Sequence, residues 1–199
     1  MEWFHHLDLF FLQLLNQKLA NGFLDWFFPR MAAPGNYVLP AVLLGVGLLW
    51  KGGARGRLFL LLMGLALLLG DCLLVASLKK AIHRPRPHET VEGVRLVTRE
   101  NVLISHPTEE VTDGRSFPSG HVCNNVALVM IAVAFYGKKY RWLYLWALFM
   151  AWNRVYLGSH YPSDVFFSWM LSLGYTSALL FLFKKQIQKA TGMMRFQKD

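Results

Sequence analysis

Apolar runs separated by short polar or basic breaks dominate the chain: about Tyr37 to Trp50, Leu58 to Leu78, Ser119 to Tyr136, Trp142 to Leu157, and Pro162 to about Phe183. Each reads as a membrane-spanning helix, the run from Leu58 most clearly. At a rise of about 1.5 Å per residue the first run is short for a bilayer, so it must borrow flanking residues or sit where the membrane thins. Ahead of these runs, Phe4, Leu7, Phe11, Leu14 and Leu15 recur at helical spacing, with Asp8, Gln13, Asn16 and Gln17 among the polar residues between them. That pattern predicts an amphipathic helix lying in the membrane interface within residues 1–35, a sixth span being the alternative. The polar stretch 88–117 is expected to be a partly ordered extracytoplasmic loop, in which Val94 to Val97 and Asn101 to Ile104 pair as short strands. The expected fold class is all-α: a polytopic transmembrane bundle of five firm spans, with residues 1–199 forming one membrane-embedded domain.

Composition supports this class. Hydrophobic residues make up 54% of the 199, high for a soluble protein. The net charge of +9 falls in short clusters between apolar runs and forms no continuous stripe, which favours anionic lipid headgroups over nucleic acid as neighbours. Cys72 and Cys123 both lie inside apolar runs, so neither a disulfide framework nor a cysteine metal site is expected. No removable signal-peptide pattern opens the chain.

Chemistry gathers at the ends of the apolar runs. Ser116-Phe117-Pro118-Ser119-Gly120-His121 predicts a helix start with Pro118 in the first helical position. Free N–H groups there, the Ser119 hydroxyl, the bare Gly120 backbone and the His121 ring suit an oxyanion such as phosphate. Two further clusters accompany it: Lys79, six residues, then Arg86-Pro87; and Arg154, five residues, His160, three residues, Asp164. The first ends the second span, Ser116–His121 begins the third, and the last joins the fourth to the fifth, so all three emerge on one membrane face. Arg84 reads as a supporting cation. Asp71 sits inside a span, where a carboxylate costs roughly 2.5–3.5 kcal/mol, and reads as a structural hydrogen bond to a neighbouring helix. His5, His6, His83, His88 and His106 fit no motif, and no metal site is expected.

Together the three clusters resemble the signature motifs of the type-2 phosphatidic-acid phosphatase superfamily, in the same order; Asn153 stands where that family often has Ser. The resemblance implies that His160 is a nucleophile forming a phospho-histidine, that Asp164 fixes its tautomer, and that His121 is the general acid. It implies a phosphate cradle of Lys79, Arg86, Ser119, Gly120 and Arg154, with no metal and no cofactor. The implied substrate is a phosphate-bearing membrane lipid. Undecaprenyl diphosphate is the expected one, with Arg84 beside Arg86 as a second anchor; phosphatidylglycerophosphate, phosphatidic acid and lipid A are the alternatives. Relatives sharing the pocket as haloperoxidases are soluble, unlike this chain, and a non-catalytic lipid-binding or transport role fits poorly with an intact His121, His160 and Asp164. Lys51, Arg55, Arg57, Lys138, Lys139, Arg141 and the basic tail from Lys184 to Lys198 mark the opposite face as cytoplasmic. The protein is therefore expected in a bacterial inner membrane, with its motifs facing the periplasm or exterior.

Overall fold

A computed structural model describes residues 2–106 and 114–192. Glu109, Glu110 and Asp113 of the polar loop, and Arg195 and Lys198 of the basic tail, lie outside them. Helix α1 (Glu2–Gln13) runs into a π-helical turn, Leu14–Lys18, and is followed by α2 (Gly22–Ala32) and α3 (Gly35–Lys51). Helix α4 (Gly53–Leu67) continues through a π-helical stretch, Leu68–Val75, into α5 (Ala76–Ile82). A short α6 (Pro87–Thr90) leads to strands β1 (Arg95–Val97) and β2 (Val102–Ile104), which pair antiparallel with Leu96 opposite Leu103. The bundle closes with α7 (Gly120–Tyr136), a 3-10 turn at Lys138–Trp142, α8 (Leu143–Tyr156), α9 (Pro162–Leu182) and α10 (Lys184–Thr191).

Helix α7 is the hub, packing on α4, α8 and α9. One face buries Ala127, Ile131 and Phe135 against Phe59, Leu62 and Ala66 of α4, Leu179 of α9 and Ile187 of α10. Another buries Val122, Val126 and Val129 against Ala147 and Ala151 of α8. Toward α9 the contact is polar: Ser168, Ser172 and Thr176, one turn apart, are fully buried. Ser172 Oγ donates to the Cys123 carbonyl at 2.7 Å, and the Ser119 N–H donates to Ser168 Oγ at 2.7 Å. Small hydroxyl residues let the two backbones approach closely and satisfy polar groups where water is excluded. The last of these bonds also corrects the expected helix start. Ser119 is the N-cap and Gly120 the first helical residue, while Pro118 stands outside the helix after a cis peptide bond, because Ser119 is held by a tertiary partner.

All five expected spans are helical, but among the described residues fewer qualify as spans by length and composition. Gly53–Thr90 and Pro162–Leu182 are long and apolar enough to cross a membrane, and α2 with α3, bent by 46°, makes a third if the pair acts as one span. At 17 residues α7 is apolar but shorter, roughly 25 Å against a hydrocarbon core of about 30 Å. Arg55 donates to the Phe135 carbonyl and lies 4.5 Å from the Tyr136 ring, so the basic α3–α4 connection and the end of α7 share one end of the bundle.

The N-terminal region departs from a single interfacial helix. Two of its polar side chains turn inward and several of its aromatic ones outward: Asp8 and Asn16 are buried, whereas Phe10, Phe11, Phe23 and Trp26 are exposed. Asn16 Oδ1 accepts the Arg95 N–H at 2.8 Å, and its Nδ2 donates to the Arg95 and Tyr156 carbonyls at 2.8 and 2.7 Å. Gln17 Nε2 donates to the Gly93 carbonyl at 2.8 Å. These amides satisfy loop backbone that would otherwise be stranded, and so dock the β-hairpin onto the bundle.

Candidate active site

Helix ends deliver the three clusters to one place. Lys79 lies in the last turn of α5, which stops at His83 in the left-handed region (φ 48°). The chain then runs extended through Arg86, whose N–H donates to Glu89 Oε2 at 2.7 Å and so caps α6. Arg154 lies in the last turn of α8, and Gly158 (φ 71°) makes the tight turn that brings His160 back over it. Tyr161 is the N-cap of α9, its N–H donating to Asp164 Oδ2 at 2.9 Å. Asp164 therefore sits in the first turn of its helix because capping requires it there.

Lys79, Arg86, Gly120, His121, Arg154 and His160 all line one cavity of about 800 Å³. Its other walls are largely apolar, built by the bend between α2 and α3 (Met31 to Ala41), by Leu67 and Leu128, and by Trp146 and Met150 of α8. Ser119 and Asp164 lie just behind it, both fully buried. The Ser119 hydroxyl and Arg154 Nε are buried without a hydrogen-bond partner among the described residues, and no ion pair among them reaches Arg154. A buried guanidinium without a counter-charge is costly unless a ligand supplies one.

His160 is held differently from the expectation. Its Nδ1 lies 2.5 Å from the Ser116 carbonyl and 3.9 Å from Asp164 Oδ2. A carbonyl can only accept, so Nδ1 carries the proton and Nε2 is the nitrogen with a free lone pair. Asp164 acts one step back: Ser116 Oγ donates to its Oδ2, and Arg84 Nη1 donates to its Oδ1 at 2.5 Å. Burial, followed by the charges of Arg154, Arg86 and Lys79, holds His160 well below the usual histidine range, so the ring is neutral near neutral pH.

Arg84 does not line the cavity. Its guanidinium bridges Asp164 and Asp8 of α1 (2.7 Å), donates to Ser163 Oγ at 2.8 Å and lies 4.1 Å from the Tyr161 ring centre. The expected second phosphate anchor is thus committed to two carboxylates. Asp8 also accepts from the Ser163 N–H at 2.7 Å, a role its place in α1 gave no sign of in sequence. His88 closes the loop by pairing Nδ1 with the Gly158 carbonyl at 2.9 Å.

Asp71 is likewise not the helix-to-helix hydrogen bond expected of it. It lies in the π-helical stretch, lines the cavity, and makes no hydrogen bond or ion pair among the described residues. Gly120 makes room for it, since a Cβ there would lie 2.5 Å from Asp71 Oδ1. Asn124 and Asn125 of α7 also line the cavity, and Trp146 Nε1 fixes Asn125 Oδ1 at 2.9 Å; nothing in the sequence singled these residues out. Among the described residues no group of three His, Cys, Asp or Glu side chains is arranged to hold a metal ion.

Comparison with known proteins bears on the family and the fold. The solved structure of Aquifex aeolicus LpxE superposes with a TM-score of 0.63 at 25% identity, over 87% of this chain and 94% of that one. A transmembrane PAP2-type phosphatidylglycerolphosphate phosphatase from Bacillus subtilis superposes with a TM-score of 0.62 at 22% identity, over 93% of this chain and 88% of that one, which speaks to the fold. None of the curated proteins compared with the chain is similar enough to count as a match. The sequence model of the PAP2 superfamily matches residues 59–188, a stretch that holds every cavity-lining cation and both cavity histidines, and the chain belongs to that superfamily of membrane phosphatases.

Proposed function

We propose that the protein hydrolyses the terminal phosphate of a membrane lipid through a phospho-histidine on His160. The observation that carries this reading is the Arg154 guanidinium, its Nε buried without a partner and no ion pair reaching it among the described residues, facing the same cavity as a neutral histidine whose Nδ1 is already engaged. Phosphoryl transfer needs fixed positive charge on the non-bridging oxygens, an in-line nucleophile and a proton for the leaving oxygen. Lys79, Arg86 and Arg154 supply the charge, with the Ser119 hydroxyl and the Gly120 N–H beside them. The lone pair of His160 Nε2 attacks phosphorus, the ester P–O bond breaks toward the leaving oxygen, and His121 gives that oxygen its proton. Neutral His121 then takes a proton from water as the water oxygen attacks phosphorus and the P–N pair returns to His160. Asp164 steadies the transient positive charge through Ser116.

The groups around the cavity suit one phosphate on a lipid alcohol, as in phosphatidylglycerophosphate, phosphatidic acid or a lipid A phosphate, because Arg84 is spent on Asp8 and Asp164. Undecaprenyl diphosphate is the second reading, favoured by the apolar wall of Val38, Ala41, Leu67 and Leu128, against which an isoprenoid tail would rest. Basic groups on the α3–α4, α7–α8 and C-terminal connections argue for a periplasmic or external site and a bacterial inner-membrane location. The test is phosphate release from a panel of these purified lipids by the detergent-solubilised protein in EDTA, with alkaline quenching to trap the phosphoenzyme. Release from any panel lipid, with a base-stable, acid-labile phosphoryl group on His160, is the expected result. Activity lost in EDTA and restored by Mg²⁺, or an adduct on another residue, would overturn the reading.

A further inference from the structure

Two polar side chains on the cavity wall have no partner among the described residues once the phosphate cradle and the two histidines are assigned. Asp71 is the only carboxylate among the lining residues, and it makes neither a hydrogen bond nor an ion pair. Asn124 lines the cavity too, and its Oδ1 is buried without a hydrogen-bond partner. The neighbouring Asn125 gives the contrast: its Nδ2 donates to the His121 carbonyl at 2.8 Å and its Oδ1 accepts from Trp146 Nε1, so that amide is spent. Donors and acceptors left unmade away from bulk water are costly, and in a cavity they fit a ligand that completes them.

Both groups border the same bare stretch of backbone. A Cβ on Gly120 would lie 2.5 Å from Asp71 Oδ1, so the carboxylate rests against that glycine. Asn124 follows Gly120 by one turn of α7, and helical side chains lean toward the N-terminus, which carries its amide back toward Gly120. A carboxylate only accepts, and with Asn124 Oδ1 buried, Nδ2 is the end left to the cavity. A hydroxyl is the small neutral group that can donate to the first and accept from the second. Gly120 lies at the phosphate cradle, and Leu128, one further turn along the same face, belongs to the apolar wall. The polar gap therefore falls between the phosphate and the tail of a bound lipid.

We infer that Asp71 and Asn124 form a specificity subsite for a hydroxyl of the lipid alcohol, borne on the carbon next to the phosphorylated one. That hydroxyl donates to Asp71 and accepts from Asn124 Nδ2. Phosphatidylglycerophosphate carries such a group; phosphatidic acid and undecaprenyl diphosphate have no donor there. The inference rests on the proposed phosphatase reading of the cavity.

The test compares kcat/KM for phosphate release by the full-length protein in detergent on two lipids that differ by one hydroxyl. These are phosphatidylglycerophosphate and its deoxy analogue, in which propane-1,3-diol replaces the head-group glycerol. The wild type is expected to prefer the hydroxyl lipid about tenfold or more, the size of a hydrogen bond to a charged group. Asp71→Leu and Asn124→Leu, close in shape but unable to hydrogen-bond, should each cut that ratio several-fold, whatever their absolute rates. A ratio near one in the wild type, or an undiminished ratio in either variant, would overturn the subsite. Release from neither lipid by folded wild type sinks the phosphatase reading itself, whereas release from both at equal rates sinks the subsite alone. Asp71→Asn and Asn124→Ala make the same comparison if a leucine variant does not fold.

Discussion

Replacing Arg84 by Met removes the one cation shared by Asp8 and Asp164 while keeping a long apolar stem. The arginine side chain is 28% exposed, whereas Asp8 is 6% and Asp164 0% exposed, so the ion pairs are largely shielded from water. Breaking a buried pair by deleting one member costs about 3–5 kcal/mol, because a desolvated charge is left without a partner. For a domain near this size that corresponds to a fall in melting temperature of roughly 6–20 °C. Asp8→Asn leaves Arg84 with Asp164 and loses one charge-assisted bond, about 1.5–3 kcal/mol. Since both act on one network, the double variant should lose less than the sum of the singles. Thermal unfolding in detergent of the wild type, both single variants and the double variant measures this, with lipid phosphate release alongside. Activity should fall in Arg84→Met at temperatures where it is still folded, because Asp164 no longer holds Ser116, whose carbonyl orients His160. A loss below about 1 kcal/mol with wild-type turnover, or strict additivity of the two substitutions, would refute the shared network.

Three further outcomes follow from the same geometry. Burial and the neighbouring cations hold His160 below the usual histidine range, and the unprotonated ring is the nucleophile, so phosphoenzyme formation should persist as pH falls below about 6.5; an acid limb at or above that value would contradict it. His160→Ala should abolish turnover and phosphoenzyme formation while leaving the cation cradle intact, so vanadate, which should inhibit the wild type as a five-coordinate transition-state mimic, should still bind the variant far more weakly; appreciable turnover by folded His160→Ala would remove the residue from its role. Gly120→Ala should cut turnover sharply, since its Cβ would lie 2.5 Å from Asp71 Oδ1, and a wild-type rate in that variant would mean that Asp71 swings away freely.

The segments that read clearly in sequence were those whose information is local. Apolar runs bounded by Gly, Pro and basic residues specify α3, α7, α8 and α9 to within a few residues, whereas the run from Leu58 to Leu78 marks a helix that already begins at Gly53 and passes through a π-helical stretch to end at Ile82; the strand pairing of β1 and β2 follows from two short β-prone runs around a turn. The spacings Lys79 to Arg86, Gly120 to His121 and Arg154 to His160 likewise identify residues that line the cavity, because each cluster lies at a helix end and the fold brings these ends together. Residue roles that depend on partners far along the chain were not legible. Asp8, some 155 residues before Ser163, reads as one polar position on an amphipathic helix, and only the docking of α1 against α9 turns it into a ligand of Arg84. Arg84 itself, two residues from Arg86, is diverted by those carboxylates from the cavity to the back of His160. Pro118 has the chemistry to open a helix, but Ser168 on a neighbouring helix holds Ser119 and moves the start to Gly120. Asp71 was visible as an intramembrane carboxylate, yet whether it bonds a helix or faces a cavity turns on the missing side chain of Gly120, a contact across nearly fifty residues. Chain composition and spacing determine which groups can do chemistry here; packing between distant helices decides which of them meet the phosphate and which hold the ones that do, since electrostatic and hydrogen-bond partners act over a few ångströms regardless of separation along the chain.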